Sequence, residues 1–198
     1  MEAALRIIGG EARGRALTAP RGMETRPTQD RVKESLFNIL GVRVRGAHVL
    51  DLFAGSGALG LEALSRGAAE AVFADSGRPA QAAVLRNIEA LGFAQRTLLL
   101  RCDWRAALRR LAAQGRRFDL MFLDPPYRMP GADAVLEALW DVAAEDALAV
   151  FEHDRRLPPA PGGWTARDVR GYGDTALTFF QAAKEARTDA DGALSGKL

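Results

Sequence analysis

One cysteine, Cys102, stands in a chain of 198 residues. It cannot form an internal bridge, so the fold must rest on its core, and a reducing compartment is expected. The two histidines, His48 and His153, have no partner at ligand-like spacing, so no metal site is expected. No apolar run is long enough to span a bilayer, and Met1–Arg6 lacks the character of a signal peptide. A cytoplasmic monomer without membrane contact is the resulting expectation. The chain also lacks internal repeats and long low-complexity blocks, which excludes solenoids and arrays. Net charge is only +2, too little to make the whole molecule a polycation.

That small charge is unevenly placed. Residues 1–48 carry nine Lys and Arg against five acids, while the remainder carries 18 basic and 20 acidic side chains. A basic head on a near-neutral body points to a polyanion at the head, against the plainer reading of a solvated face. Residues 5–27 are rich in Gly, Arg and Pro and read as a loop or short β-ribbon. A helix follows from Thr28 to about Leu40, with Val32, Leu36, Ile39 and Leu40 on one face. Apolar runs at 48–53, 71–75, 97–101, 119–123 and 147–152 then alternate with helical stretches at 58–66, 79–91, 104–113 and 132–143. Repeated βα units of this kind imply an α/β, doubly wound, mostly parallel sheet. Runs at 165–170 and 175–181 add a terminal antiparallel hairpin, for seven strands in all. Three segments result: an N-terminal extension over 1–45, a main domain over 46–182 and a disordered tail over 183–198.

Two motifs sit on this frame. The first, Val49 to Gly60, is a strand, a glycine turn and a helix start, and Gly55, Gly57 and Gly60 satisfy G-x-G-x-x-G. Asp75 ends the next strand 20 residues after Gly55, where an acid can bind a ribose. A nicotinamide dehydrogenase is the obvious comparison, but Asp51 lies inside the first strand. A carboxylate there sits poorly with a pyrophosphate and well with a cationic ligand, and no residue stands out as a hydride-transfer acid. The second motif is Leu120–Tyr127, an apolar run ending in Asp124-Pro125-Pro126-Tyr127. Two prolines stop a strand abruptly. They leave the Asp124 carboxylate, the Pro125 carbonyl and an aromatic ring at its carboxyl end. That corner is complementary to an exocyclic NH2 on a nucleobase; an ordinary turn with Tyr127 in the core is the structural alternative.

Together the motifs resemble class I S-adenosylmethionine-dependent methyltransferases acting on exocyclic amino nitrogens. Arg6–Gly10, Arg13-Gly14-Arg15, Arg26–Asn38 and Phe53–Gly67 narrow this to a resemblance to the RsmD family, running from about Arg6 to Gln181. The family comprises bacterial 16S rRNA guanine-N2 methyltransferases. The resemblance implies transfer of methyl from S-adenosylmethionine to N2 of a guanine (position 966 in the family), leaving S-adenosylhomocysteine. It also implies 16S rRNA as partner, within the small ribosomal subunit or an assembly intermediate. Asp124, Pro125, Pro126 and Tyr127 then become the catalytic residues. Asp51, Phe53, Ala54, Gly55, Ser56, Gly57, Asp75, Asp103 and Trp104 become the cofactor contacts, although Asp103 also reads as a helix cap and Trp104 as core. Arg6, Arg13, Arg15, Arg26, Arg31 and Lys33 are the expected RNA contacts. The rivals are a DNA adenine-N6 or cytosine-N4 methyltransferase, for which the chain is short of a target-recognition domain, and a non-catalytic cofactor- and RNA-binding assembly factor.

Overall fold

A computed structural model describes residues 5–20, 28–126, 132–154 and 163–182. The elements are α1 (Thr28–Leu40), β1 (His48–Asp51), α2 (Ala58–Ser65), β2 (Glu70–Ala74), α3 (Arg78–Leu91), β3 (Thr97–Leu100), α4 (Trp104–Ala113), β4 (Phe118–Leu123), α5 (Ala132–Leu139), β5 (Ala143–Asp154), β6 (Trp164–Tyr172) and β7 (Thr175–Ala182). The seven strands form one sheet in the order β3-β2-β1-β4-β5-β7-β6. The first five are parallel, and β7 runs antiparallel between β5 and β6. β3, β2 and β1 thus build outward on one side, and β4 and β5 on the other. The order reverses between β1 and β4, and ligands of open α/β sheets bind at the carboxyl ends beside such a point.

Alternate residues of each strand enter two cores, one on either face of the sheet. Val49, Phe122, Val150 and Phe179 pack with α1, α2 and the N-terminal segment. Leu50, Met121, Phe151 and Phe180 pack with α4 and α5. Five details depart from the expectations. β1 stops at Asp51, where the glycine loop begins to turn. The helix expected over 132–143 ends at Leu139, and a 3-10 turn at Trp140–Val142 carries the chain into β5. β5 itself starts at Ala143, with Asp146 in the left-handed region (φ 59°) where its register with β4 shifts. The hairpin turn is only Gly173-Asp174, since β6 runs on to Tyr172. On α1, Ile39 is exposed, whereas Phe37 and Lys33 turn inward. The tail assigned to 183–198 lies outside the described residues.

The expected ribbon exists as a short loop closed on itself. Arg6 and Ala16 form a β-bridge, Ile7 N donates to Arg15 O, and Leu17 N donates to Leu5 O. With Gly14 N donating to Ile7 O as well, a few cross-ribbon bonds are still too few to hold such a loop in water, so its order comes from what lies beneath. Ile7, Ala12 and Leu17 are buried in the same core as α1 and β1. Below them Glu62 of α2 is fully buried (0% exposed). It accepts from Ile8 N at 2.7 Å, Gly9 N at 2.8 Å and Arg66 Nε at 2.7 Å, and lies 3.7 Å from Lys33 Nζ. Ser65 adds a second anchor, accepting from Ala12 N and donating to Gly9 O. Breaking a buried ion pair from one side leaves the other charge stranded, at a cost of about 3–5 kcal/mol. Glu62→Ala is therefore expected to lower urea stability by that amount, because Lys33 is left unpaired and two ribbon amides lose their acceptor. A loss under about 1 kcal/mol would mean that apolar contacts alone seat the ribbon.

Candidate active site

The turn after β1 is held from three directions. Gly57 has φ 76° and opens α2, and Gly55 has φ 55°; both are conformations that glycine adopts without strain. The Asp51 carboxylate accepts from Gly60 N at 3.0 Å. A Cβ on Gly60 would come within 2.4 Å of the Phe73 ring, so this third glycine is required by helix–sheet packing. Asp75, just past β2, accepts from Gly55 N at 2.9 Å and from its own loop at Gly77 N at 2.7 Å. Asn87 of α3 donates to Ser56 O at 2.8 Å and clamps both backbone groups of Thr18. The N-terminal segment and the glycine loop thus share one side chain.

The expected acids all reach the carboxyl edge of the sheet. Asp51 ends β1, Asp75 follows β2, Asp103 lies shortly after β3, and Asp124 follows β4 directly. Asp103 caps α4, with Oδ1 accepting from Arg105 N and Ala106 N, and these bonds hold its pKa below the ordinary range. Phe53 is half-buried, Ala54 is buried, and Gly55 and Ser56 are partly open. Trp104 is buried among the α4-side core with the Arg105 guanidinium 4.2 Å over its ring, the position of a packing residue. β4 ends at Leu123 as the two prolines require, leaving Asp124 exposed and Pro125 half-buried at the corner. Tyr127 lies outside the described residues.

A carboxylate the motifs did not supply joins them. Glu152 on β5 sits one residue beyond the Leu123–Phe151 pair, hence beside Asp124. Strand alternation sends Asp51, Asp124 and Glu152 to the same face of the sheet. Asp51 is buried, and its pKa is pushed up to about 7, by desolvation first and by the charges of Asp124 and Asp75 after it, against the opposing Gly60 hydrogen bond. Asp124 is exposed as a residue, and the partial desolvation of its carboxyl at the strand end raises its pKa as well. Glu152 is raised by burial first and by Asp124 second. Carboxylates packed this closely resist ionising together, which favours a cation among them. Glu152 was legible only as one acid ending an otherwise apolar run, and Asn87 as one polar residue on the inner face of α3.

The basic candidates divide. Arg6, Arg13, Arg15 and Arg31 are exposed. Arg6 pairs with Asp30 at 3.1 Å, and Arg15 donates to Ala90 O. Lys33 is a correction to the expected RNA set: it is 4% exposed, and its ammonium donates to Arg6 O and faces Glu62. Burial pulls its pKa down while Glu62 pulls it up. Its sequence neighbours suggested a phosphate contact, but the helix turns it inward. Arg26 lies outside the described residues.

The family described as Conserved hypothetical protein 95 matches residues 5–181. The chain belongs to it, the RsmD family. Ribosomal RNA small subunit methyltransferase D of Escherichia coli strain K12 is 37% identical over 191 residues, covering 94% of each chain. The solved structure of yhhF from Escherichia coli has a TM-score of 0.80 at 32% identity, covering 92% of this chain and all of that one. SMU.776, solved in complex with SAH, has a TM-score of 0.65 at 15% identity over 80% of this chain and 50% of that one, a likeness of fold. The sheet order and terminal hairpin of this RsmD-family chain are those of the class I methyltransferases.

A buried acid with a raised folded pKa destabilises in its ionised form. The Asp51 penalty is absent near pH 4, grows between the ordinary value of 3.8 and about 7, and is constant above that. Asp51→Asn is expected to raise the melting temperature of the ligand-free protein above pH 7, with the gain shrinking toward zero near pH 4. A gain independent of pH, or a loss above pH 7, would show that the carboxylate is not the strained group.

Proposed function

We propose that this protein transfers methyl from S-adenosylmethionine to the exocyclic N2 of a guanine in 16S rRNA of the small ribosomal subunit. The observation that carries the reading is the Asp124-Pro125-Pro126 corner beside the acid-rich glycine turn, at the switch point of a methyltransferase sheet. The residues present fit the cofactor. Gly55 and Gly57, both left-handed, leave two positions of the turn without a Cβ, and Asp51, Asp124 and Glu152 face one side, complementary to an ammonium and a sulfonium. Each Asp75 oxygen accepts one backbone amide and retains a lone pair for a ribose hydroxyl. Asp103 Oδ1 is committed to the cap, and its other oxygen has no bond among the described residues, leaving it for the adenine amino group.

The bound cofactor supplies an electrophilic methyl group, and the protein must make a poor nucleophile competent. The amine's lone pair is delocalised into the base. Asp124 and the Pro125 carbonyl accept its two N–H bonds, drawing nitrogen toward tetrahedral geometry and localising the lone pair. Their effect is greatest where charge develops. Tyr127 stacks on the base and keeps it in line. The proton leaves after attack, to Asp124 or to water. The target base must be unstacked or in a loop to enter such a corner. Arg6, Arg13, Arg15, Arg26 and Arg31 take the phosphates.

Labelled methyl transfer to small subunits lacking the modification, followed by nucleoside analysis, tests the reading. N2-methylguanosine is the expected product. Label in N6-methyladenine, or none at all, would overturn the assignment. Asp124→Ala is expected to lower kcat at least ~100-fold, comparable to losing one preorganised partner, with cofactor affinity little changed. Tyr127→Ala should cost more than Tyr127→Phe, and equal losses would assign the role to the hydroxyl.

A further inference from the structure

The face that carries Asp124 continues across the sheet to a second polar feature. Glu152 of β5 is paired with Leu177 of β7, and Leu177 is paired in turn with Arg170 of β6. Residues paired in this way project to one face. Asp124, Glu152, Leu177 and Arg170 therefore form a single row, with α1 packed over its middle. At the far end of that row, an open groove of about 440 Å³ runs between α1 and β6. Arg31, Glu34, Ser35, Asn38, Ile39 and Arg170 line it. Three strand spacings separate β4 from β6, roughly 14 Å.

We infer that this groove is a phosphate-binding subsite, gripping the RNA backbone beside the target nucleotide through Arg31 and Arg170. The inference rests on the RNA methyltransferase reading and extends the RNA surface from the N-terminal segment to the terminal hairpin. Two arginines from separate elements, Arg31 of α1 and Arg170 of β6, line the groove. Arg31 has no ion-pair partner among the described residues. Arg170 Nε is held by Asp168 Oδ2 at 2.8 Å, which orients the outer edge of the fork. A fork held in this way matches phosphate oxygens bidentately. The walls are braced: Ser35 Oγ and Tyr172 Oη lie 2.5 Å apart, tying α1 to the end of β6. Asn38 adds a short polar group, and Glu34 also lines the groove, so the two guanidinium groups must outweigh one carboxylate. Apart from Trp164, Asp168 and Tyr172, β6 is exposed along its length, as an edge that meets a partner would be.

The test is binding of the full-length protein to a small-subunit rRNA transcript across a salt series, for wild type, R31A/R170A, R31K/R170K and the control R43A/R117A. Arg43 and Arg117 precede β1 and β4, at the opposite edge of the sheet. Losing two phosphate contacts from a single strand should flatten the slope of log K against log salt by about 1.4. R31A/R170A should show that change and about tenfold weaker binding near 0.1 M salt, while melting temperature and S-adenosylmethionine affinity by calorimetry stay unchanged. The lysine pair should keep most of the slope, and the control should match wild type. Wild-type binding with an unaltered slope in R31A/R170A would overturn the groove alone. So would an equal loss in the control, since the effect would then be general charge. Failure of wild type to bind the transcript or to methylate subunits would overturn the RNA reading itself.

Discussion

One buried carboxylate holds three parts of this molecule together. Glu62 sits in α2, directly after the glycine turn; it accepts from the N-terminal ribbon and from Arg66 and forms an ion pair at 3.7 Å with Lys33 on α1. A fully buried acid is tolerable only when it is paired and hydrogen-bonded. The arrangement is therefore close to all-or-none: either the ribbon, α1 and α2 assemble around Glu62, or a charge is stranded in the core. The same helix that receives the ribbon begins at the glycine turn, so the N-terminal segment and that turn share a rigid base. Asn87 repeats the logic from the other side, joining Thr18 to Ser56 through one amide.

The carboxyl edge of the sheet carries the opposite kind of energetics. Asp51, Asp124 and Glu152 gather on one face at the strand ends, each desolvated enough to lie above the ordinary carboxylate range. Nothing in the packing requires three acids there; apolar or amide side chains would cost less. Strain of this sort, kept at the strand ends and compensated elsewhere, is what a site for a charged ligand calls for. Structural order is concentrated in the Glu62 and Asn87 networks, and electrostatic tension at the strand ends, one turn of helix away.

The strands and helices were readable because their hydrophobic periods are clean, and the two motifs fell where the topology places ligands. The failures have local causes. The boundary between helix α5 and strand β5 is hidden in the sequence because residues 139–147 interleave three acids with small and apolar residues and follow neither period cleanly; the pairing of Phe118 with Ala143 sets where the strand begins. Ile39 and Phe37 exchanged roles on α1 because both suit an amphipathic helix, and the Phe122 ring, 5.8 Å from Phe37, decides which one faces inward. Lys33 looked like one more cation in a basic head until a partner 29 residues away claimed it.

The chain alone therefore settled the order of its elements, the glycine turn, the proline-terminated strand and the family, because each is carried by runs and motifs that are local in sequence. Burial, partnership and alignment came from the tertiary structure. Lys33 became internal through Glu62, Glu152 joined Asp124 through the β4–β5 register, and Arg170 entered the same row through β7. Such relations depend on which strand lies beside which, and adjacency between residues tens of positions apart is set by sheet order and register, not by local sequence.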